Sequence, residues 1–284
     1  MKKIALVTGT SSGIGLSTAL ALAKAGFTVV ATMRNLDKAG ALQQAAQAQG
    51  LALELQQMDV QDQASVSACV QRVIQTHGQI DVLVNNAGSG FLGAMEETGI
   101  GDLQQVMDVN FYGVWRVTQA VFPHMRAAGA GRILSVSSVG GLIGQPFNDA
   151  YCAAKFAVEG FMESLAPVAQ RFGIKIALIE PGPVHSEFVA SVQEKVHSQA
   201  NQLEAYAAMR AAYLEGAAQA FASIGQSPDQ IAQLIVDAAT TAGMHLRYPS
   251  SEVMRGLISR KYVDPNGDSI LSLNGARLPA TCGG

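Results

Sequence analysis

Between an apolar run at 3–8 and a helically spaced segment at 16–25 the chain reads Thr8-Gly9-Thr10-Ser11-Ser12-Gly13-Ile14-Gly15. No other stretch narrows the possible folds so far. The first run is short and aliphatic, while Leu16, Ala19, Leu20 and Ala23 recur at the interval of one helix face and Gly26 supplies a stop. A first strand that passes through glycines into a helix is the opening of a nucleotide-binding α/β sheet. The glycines let the backbone turn tightly and approach a ligand, and free N–H groups at the helix start face a phosphate. A plain strand-to-helix loop is the alternative for any glycine-rich turn, and the position of this one favours the nucleotide. Gly9, Ser11, Ser12, Gly13, Ile14 and Gly15 are therefore candidate cofactor-binding residues.

The alternation continues down the chain. Further strands are expected at 28–32, 51–58, 82–84, 132–137, 175–179 and 245–248, with helices at 36–50, 100–127, from about 150, and at 228–241. Ser227-Pro228-Asp229-Gln230 is a clear start for the last of these, with Ser227 as cap and Gln230 reaching back. Strands and helices in this order imply an α/β, doubly wound (Rossmann-type) seven-stranded parallel sheet with helices on both faces. With 284 residues, 49% hydrophobic and 14% charged, one large domain over 1–284 accounts for the chain. A formal charge of −3 and no run of Lys or Arg give no ground for a nucleic-acid partner. Cys69, Cys152 and Cys282 match no metal or redox spacing, which suggests reduced thiols and no metal. No run approaches the ~18 to 20 apolar residues of a membrane span, and Gly9 arrives before a signal-peptide core can form. A cytoplasmic protein with a small-molecule partner is the expectation.

The stretch from Ser138 to Lys155 carries the chemistry. Tyr151 and Lys155 stand four apart, so on a helix both lie on one face. A phenol has a reference pKa of about 10 and is a poor acid or base at neutral pH. A neighbouring ammonium favours the phenolate. Such a Tyr takes a proton from an alcohol or gives one to a carbonyl oxygen, while the Ser138 hydroxyl holds that oxygen. A helix-surface Tyr and Lys is the bland reading of this pair taken alone. Cys152 reads as packing rather than chemistry.

The spacing Gly-x-x-x-Gly-x-Gly departs from the general dinucleotide fingerprint and resembles the TGxxxGIG of the short-chain dehydrogenases/reductases. Asn85-Asn86-Ala87-Gly88 resembles the fourth-strand motif of that family, with Asn85 stabilising the sheet and Asn86, Ala87 and Gly88 as cofactor wall. Ser138 and Tyr151 are 13 positions apart, the family's interval for its Ser-Tyr-Lys set. The resemblance implies catalytic roles for Ser138, Tyr151 and Lys155, and for Asn110, which in the family holds a water linking the active-site Lys to solvent. It also implies that Tyr151 and Lys155 touch the cofactor. It places Asp59 and Val60 at the adenine edge, although Asp59 equally suits a cap for the next helix. Met33 stands where an acid would bind the ribose hydroxyls of NAD, and Arg34 follows it, so NADP(H) is preferred over NAD(H).

Strand six runs into Pro181-Gly182-Pro183-Val184-His185. Pro181, Gly182 and Val184 are expected to carry the backbone past the nicotinamide. Residues 186–225 repeat apolar side chains at helical spacing and suggest two amphipathic helices forming a substrate cap, and 263–284 reads as an irregular tail. Ser138, Val139, Gly140, Phe147, Tyr151, His185 and Phe188 are the expected substrate contacts, with His185 as wall or hydrogen-bonding group. Ser137 to Leu142, Pro146-Phe147-Asn148-Asp149, Gly182 to His185, Leu246-Arg247-Tyr248 and Asp264-Pro265-x-Gly267 resemble the branch of the family containing estradiol 17-beta-dehydrogenase and the all-trans-retinol dehydrogenases. Gly216 falls where steroid-binding members carry a cap histidine. The implied activity is hydride transfer between NADP(H) and a bulky apolar ketone or aldehyde and its alcohol. A non-catalytic NADP(H)-binding redox sensor is the alternative, and a homodimer or homotetramer through 102–127 and 150–172 is implied by the resemblance.

Overall fold

In a computed structural model, which describes residues 2–186, 202–264 and 266–278, the glycine-rich turn joins β1 (Ile4–Thr8) to α1 (Gly13–Lys24). Every residue of β1 is buried, as a strand covered on both faces must be. The chain continues through β2 (Thr28–Met33), α2 (Gly40–Ala48), β3 (Glu54–Gln57), α3 (Gln63–His77) and β4 (Val82–Asn85). After α4 (Ile100–Met107) and α5 (Gly113–Ala128) come β5 (Gly131–Val136), α6 (Asp149–Gln170) and β6 (Ile174–Glu180). Then follow α7 (Ala207–Ile224), α8 (Pro228–Thr240), β7 (Arg247–Pro249), α9 (Glu252–Val263) and α10 (Asp268–Gly275).

All seven strands are parallel, in the order β3-β2-β1-β4-β5-β6-β7. Leu22, Leu42, Ile231 and Ile235 bring α1, α2 and α8 against one face. Val66, Val117, Val121 and Met162 bring α3, α5 and α6 against the other. The strand order reverses between β1 and β4, which opens a crevice at their carboxyl ends. Asn85 ends β4 with its amide donating to Thr118 Oγ1 of α5 (3.0 Å) and Ser135 Oγ of β5 (3.2 Å), the sheet-fastening role expected of it. Among the described residues no helix is long and apolar enough to cross a membrane.

Several expected elements differ. The helix expected at 100–127 is broken by a π turn at Asp108–Tyr112. There the Asn110 side chain donates to Val106 O (3.0 Å), the carbonyl that its own backbone N–H would meet in an α-helix. The third strand covers only Glu54–Gln57, because its polar residues lie at a half-exposed edge. Pro167 lies in the last turn of α6, so only Val168 to Gln170 of the helix follow the backbone bond that its missing N–H removes. The tail expected to be irregular carries α10 instead: Asp264 accepts from Asn266, Gly267 and Ser269 N–H groups, and Asn274 donates to Gly144 O. Of the two cap helices expected, α7 is the second. The first, with Phe188, lies outside the described residues.

Asn85→Ala removes both amide donations in a buried setting. It should lower the unfolding free energy by about 1–3 kcal/mol, read as a shift of the urea midpoint; an unchanged midpoint would remove the bridging role of this amide.

Candidate active site

Two glycines of the opening turn are dictated by crowding within the protein. A Cβ on Gly15 would stand 2.1 Å from Gly9 O and 2.4 Å from Asn86 Nδ2, and one on Gly9 would stand 2.8 Å from Ala87 Cα. Asn86 causes the squeeze, for its amide donates to Thr8 O (2.9 Å) and Gly9 O (3.0 Å). The turn thus lies flat against the exit of β4, and α1 begins beside it. Ser12 makes no side-chain cap and no acidic residue occupies the first turn, so its N–H groups are left for an anion. These donors fit a pyrophosphate. At the end of β2, Met33 is buried and the Arg34 side chain is exposed, without an acidic neighbour at either position. Asp59 does not cap α3, which starts on Asp62; its carboxylate accepts from Gln61 N–H (3.0 Å) and shapes the turn at the sheet edge next to buried Val60.

The sheet exit at β5 and the first turns of α6 bring Ser138, Tyr151 and Lys155 together. Ser138 Oγ accepts from Gly140 N–H (3.0 Å), which fixes its rotamer, and hydrogen-bonds the Tyr151 hydroxyl. Lys155 is buried, donates to Val136 O (2.9 Å) and sits 5.8 Å from the centre of the Tyr151 ring. Gly88 is held against this group: a Cβ there would lie 2.8 Å from Asn110 Oδ1 and 3.8 Å from Lys155 Nζ. Asn110 is fully buried, exchanging hydrogen bonds with the backbone of Ser89 (2.9 and 3.1 Å).

Burial dominates the titration of these groups. It pushes Tyr151 up to about 12, with the Ser138 hydrogen bond opposing, and pushes Lys155 down to about 8, with the Glu159 carboxylate opposing. The expected pull of Lys155 on the Tyr151 pKa is not seen, because desolvation outweighs any charge within reach. Tyr151 is accordingly held as the phenol, the form that gives a proton. Cys152, beside it, is buried and raised by desolvation to about 11, so it remains a thiol used for packing.

Beyond the sheet, β6 runs into Pro181, whose carbonyl accepts from Val139 N–H (2.9 Å), and Gly182 packs so closely on Met254 of α9 that a Cβ would come within 2.5 Å of its Sδ. Val184 pairs with Gln226, and the exposed His185 presses its ring on Gly225 at the end of α7 and faces Phe221. His185 therefore braces the cap. Phe147, at φ 60° one of the strained positions of the fold, buries its ring among Leu92, Ala94, Tyr206 and Tyr213. Val139 departs from expectation: its side chain is buried with Leu142, Ile143, Met254 and Ile258, turned into the packing of α9.

Two features escaped the sequence. Asn148 donates to the Tyr213 hydroxyl (2.9 Å), tying the loop before α6 to the cap. Arg210 and Glu97 form an ion pair with side chains only 6% and 2% exposed, and Glu97 also accepts from Leu203 N–H. A single Arg among the alanines of α7 was the only available signal.

This arrangement, a dinucleotide crevice with a Ser-Tyr-Lys group at its mouth, is that of a nucleotide-dependent oxidoreductase. The short chain dehydrogenase family matches residues 3–197, and the chain belongs to that family. It is 40% identical to human 17-beta-hydroxysteroid dehydrogenase type 1 over 278 residues, 95% of this chain and 84% of the other. It is 41% identical to retinol dehydrogenase 8 of Bos taurus over 269 residues, 92% of this chain and 86% of the relative. Among solved structures it superposes on a metagenomic short-chain oxidoreductase in complex with NADP, with a TM-score of 0.68 at 26% identity, covering 87% of this chain and 96% of that one.

Proposed function

We propose that the protein interconverts a bulky apolar ketone or aldehyde and its alcohol with NADP(H). The observation that carries this reading is the hydrogen-bonded Ser138 and Tyr151 pair standing over buried Lys155 at the open end of the sheet. In the reducing direction Tyr151 gives its phenolic proton to the carbonyl oxygen as Ser138 steadies that oxygen by a hydrogen bond. Lys155 contributes a positive charge beneath the ring and a donor toward the cofactor ribose. Bound along the crevice, the nicotinamide supplies the hydride. Asn110, anchored in the π turn, borders Lys155 through Gly88 and supports a water path for returning the proton. Arg34 is the group that takes the 2′-phosphate, and the lack of an acid at Met33 removes the feature that would select NAD.

Support for an apolar substrate comes from the side chains around the mouth. Phe147, Leu92, Met209, Tyr206, Tyr213 and Leu214 form one apolar cluster between the cap and the loop before α6. The 17-beta-hydroxysteroid and retinol dehydrogenases among its relatives are named for large apolar alcohols. Gly216 is exposed and presents no side chain to hold a distal polar group, which favours an apolar substrate without a fixed far end over a steroid. The half-exposed stack of Trp115 on Phe161 (4.4 Å between centroids), on the outer face of α5 and α6, is the surface we assign to a second copy.

NADPH oxidation should proceed with bulky ketones or aldehydes such as estrone, retinal or aromatic carbonyls. Tyr151→Phe should cut turnover by about 100- to 10,000-fold with NADPH binding retained; near-wild-type turnover in that variant would end the assignment. Arg34→Asp should weaken NADPH binding by about 10- to 100-fold and leave NADH binding little changed, by fluorescence titration; equal effects on both would refute the phosphate contact. Trp115→Glu should convert a dimer to monomer in light scattering, and a wild-type monomer would dispose of this interface.

A further inference from the structure

Three side chains of α6 lie one turn apart on the face turned to the exit of β5. Tyr151 hydrogen-bonds Ser138, Lys155 Nζ donates to Val136 O, and Glu159 faces Ser137 between them. Gly141 marks how closely that third pair converges: a Cβ there would come within 2.6 Å of Ser137 Oγ and 3.0 Å of Glu159 Cγ. Glu159 is only 4% exposed. A carboxylate at that depth loses several kcal/mol of hydration and persists only with a charged partner.

That partner is Arg247 of β7, whose Nε lies 3.1 Å from Glu159 Oε2. The same guanidinium meets Glu163 of α6 at 2.6 Å and Glu180, the last residue of β6, at 3.3 Å. Glu180 is fully buried and neither of its oxygens makes a hydrogen bond. Burial and the Glu159 charge push it up to about 8, so it stands as a neutral acid at pH 7. From α9, Lys261 and Tyr262 also face Glu159, and Arg255 faces Glu180. Tyr151 and Glu159 are the titratable side chains that face Lys155 along α6. Burial raises the Glu159 pKa, and the Ser137 hydroxyl and the Arg247 guanidinium oppose that rise and favour its ionised form. Ionised, Glu159 is the buried carboxylate that faces the catalytic ammonium, and no step of the proton transfer uses it.

We infer that Glu159 is a positioning residue whose carboxylate, oriented by Arg247, keeps Lys155 charged beneath Tyr151 and so sets the upper pH at which the site works. The inference rests on the reading of Tyr151 and Lys155 as the acid–base pair. The charge balance supplies the physics. Burial alone drives a lysine toward neutrality, and an opposite charge close by restores about 1–3 pH units.

The test is a pH titration of the full chain labelled with 13C at the lysine ε-carbons, with the Lys155 resonance assigned by its loss in Lys155→Met. The wild-type midpoint should lie near 8. Glu159→Gln should lower it by about one pH unit or more, Glu159→Asp should lower it by less, and Glu163→Gln, on the exposed side of the arginine, should leave it in place. If Glu159→Gln does not fold, Glu159→Asp carries the comparison, since drawing the carboxylate back still weakens the field at Lys155. A Lys155 midpoint unmoved in the folded Glu159 variants, or lowered equally in Glu163→Gln, would overturn the inference. This titration needs no turnover, so its failure is separate from a failure of the oxidoreductase reading. In the active enzyme the alkaline limb of kcat/KM should move with the Lys155 midpoint; a limb that stays put while the midpoint falls would overturn the claim that this charge sets the limit.

Discussion

The carbonyls of Thr8, the last residue of β1, and of Gly9, just past it, lie at the exit of the strand. Asn86 takes both. β1 lies between β2 and β4, and Asn86, just past β4 in the other half of the sheet, reaches these oxygens with its side-chain amide, which closes the seam at which the strand order reverses. Buried acceptors left open would each forfeit about 1–3 kcal/mol. With this contact made, Gly15 has no room for a side chain beside Asn86 Nδ2 and Gly9 O, Gly9 lies against Ala87, and the chain after Asn86 carries Gly88 to Asn110 and Lys155.

The catalytic group depends on the seam indirectly. With β4 and β5 side by side, the Asn85 amide spans to Ser135, and the backbone that follows delivers Val136, Ser137 and Ser138 to the first turns of α6. Burial then does most of the electrostatic work. It keeps Tyr151 protonated and brings Lys155 within reach of neutral pH, and it gathers Glu159, Glu163 and Glu180 around the one Arg247 guanidinium, with Lys261 and Arg255 as further cations nearby.

What could be read in advance was what depends on near neighbours in the chain. The Rossmann-type order was legible because each strand and helix carries its own period, and the start of α8 was legible because Ser227, Pro228 and Gln230 form a local device. The shared face of Tyr151 and Lys155 follows from four-residue spacing alone. Glu159 escaped notice although it lies one further turn along, because its meaning comes from Arg247, 88 residues away. Arg210 was visible only as a charge in an apolar segment until Glu97, 113 residues distant, gave it a partner. The glycines of the opening turn suit close approach of a ligand, and at Gly9 and Gly15 the chain itself also forbids a side chain, through Ala87 and through Asn86 and the Gly9 carbonyl. The neighbours of Val139 in sequence make it a substrate candidate, but its packing with Met254 and Ile258 of α9 comes from residues more than 110 positions away and has no local sign.

The π turn at Asp108–Tyr112 lets a single rod answer to two different packing partners. Before it, Val106 is sealed by Ala150 and Ala154 of α6; after it, Val114, Val117, Val121 and Met125 enter the core beneath the sheet. Each residue of an α-helix advances about 100° around its axis, so the same residues wound as one uninterrupted α-helix would bring Gly113 to the place where Val114 now lies. The wide turn works as a phase shifter: it takes up one residue, and a length change elsewhere in 100–128 would be felt as rotation of the packed face.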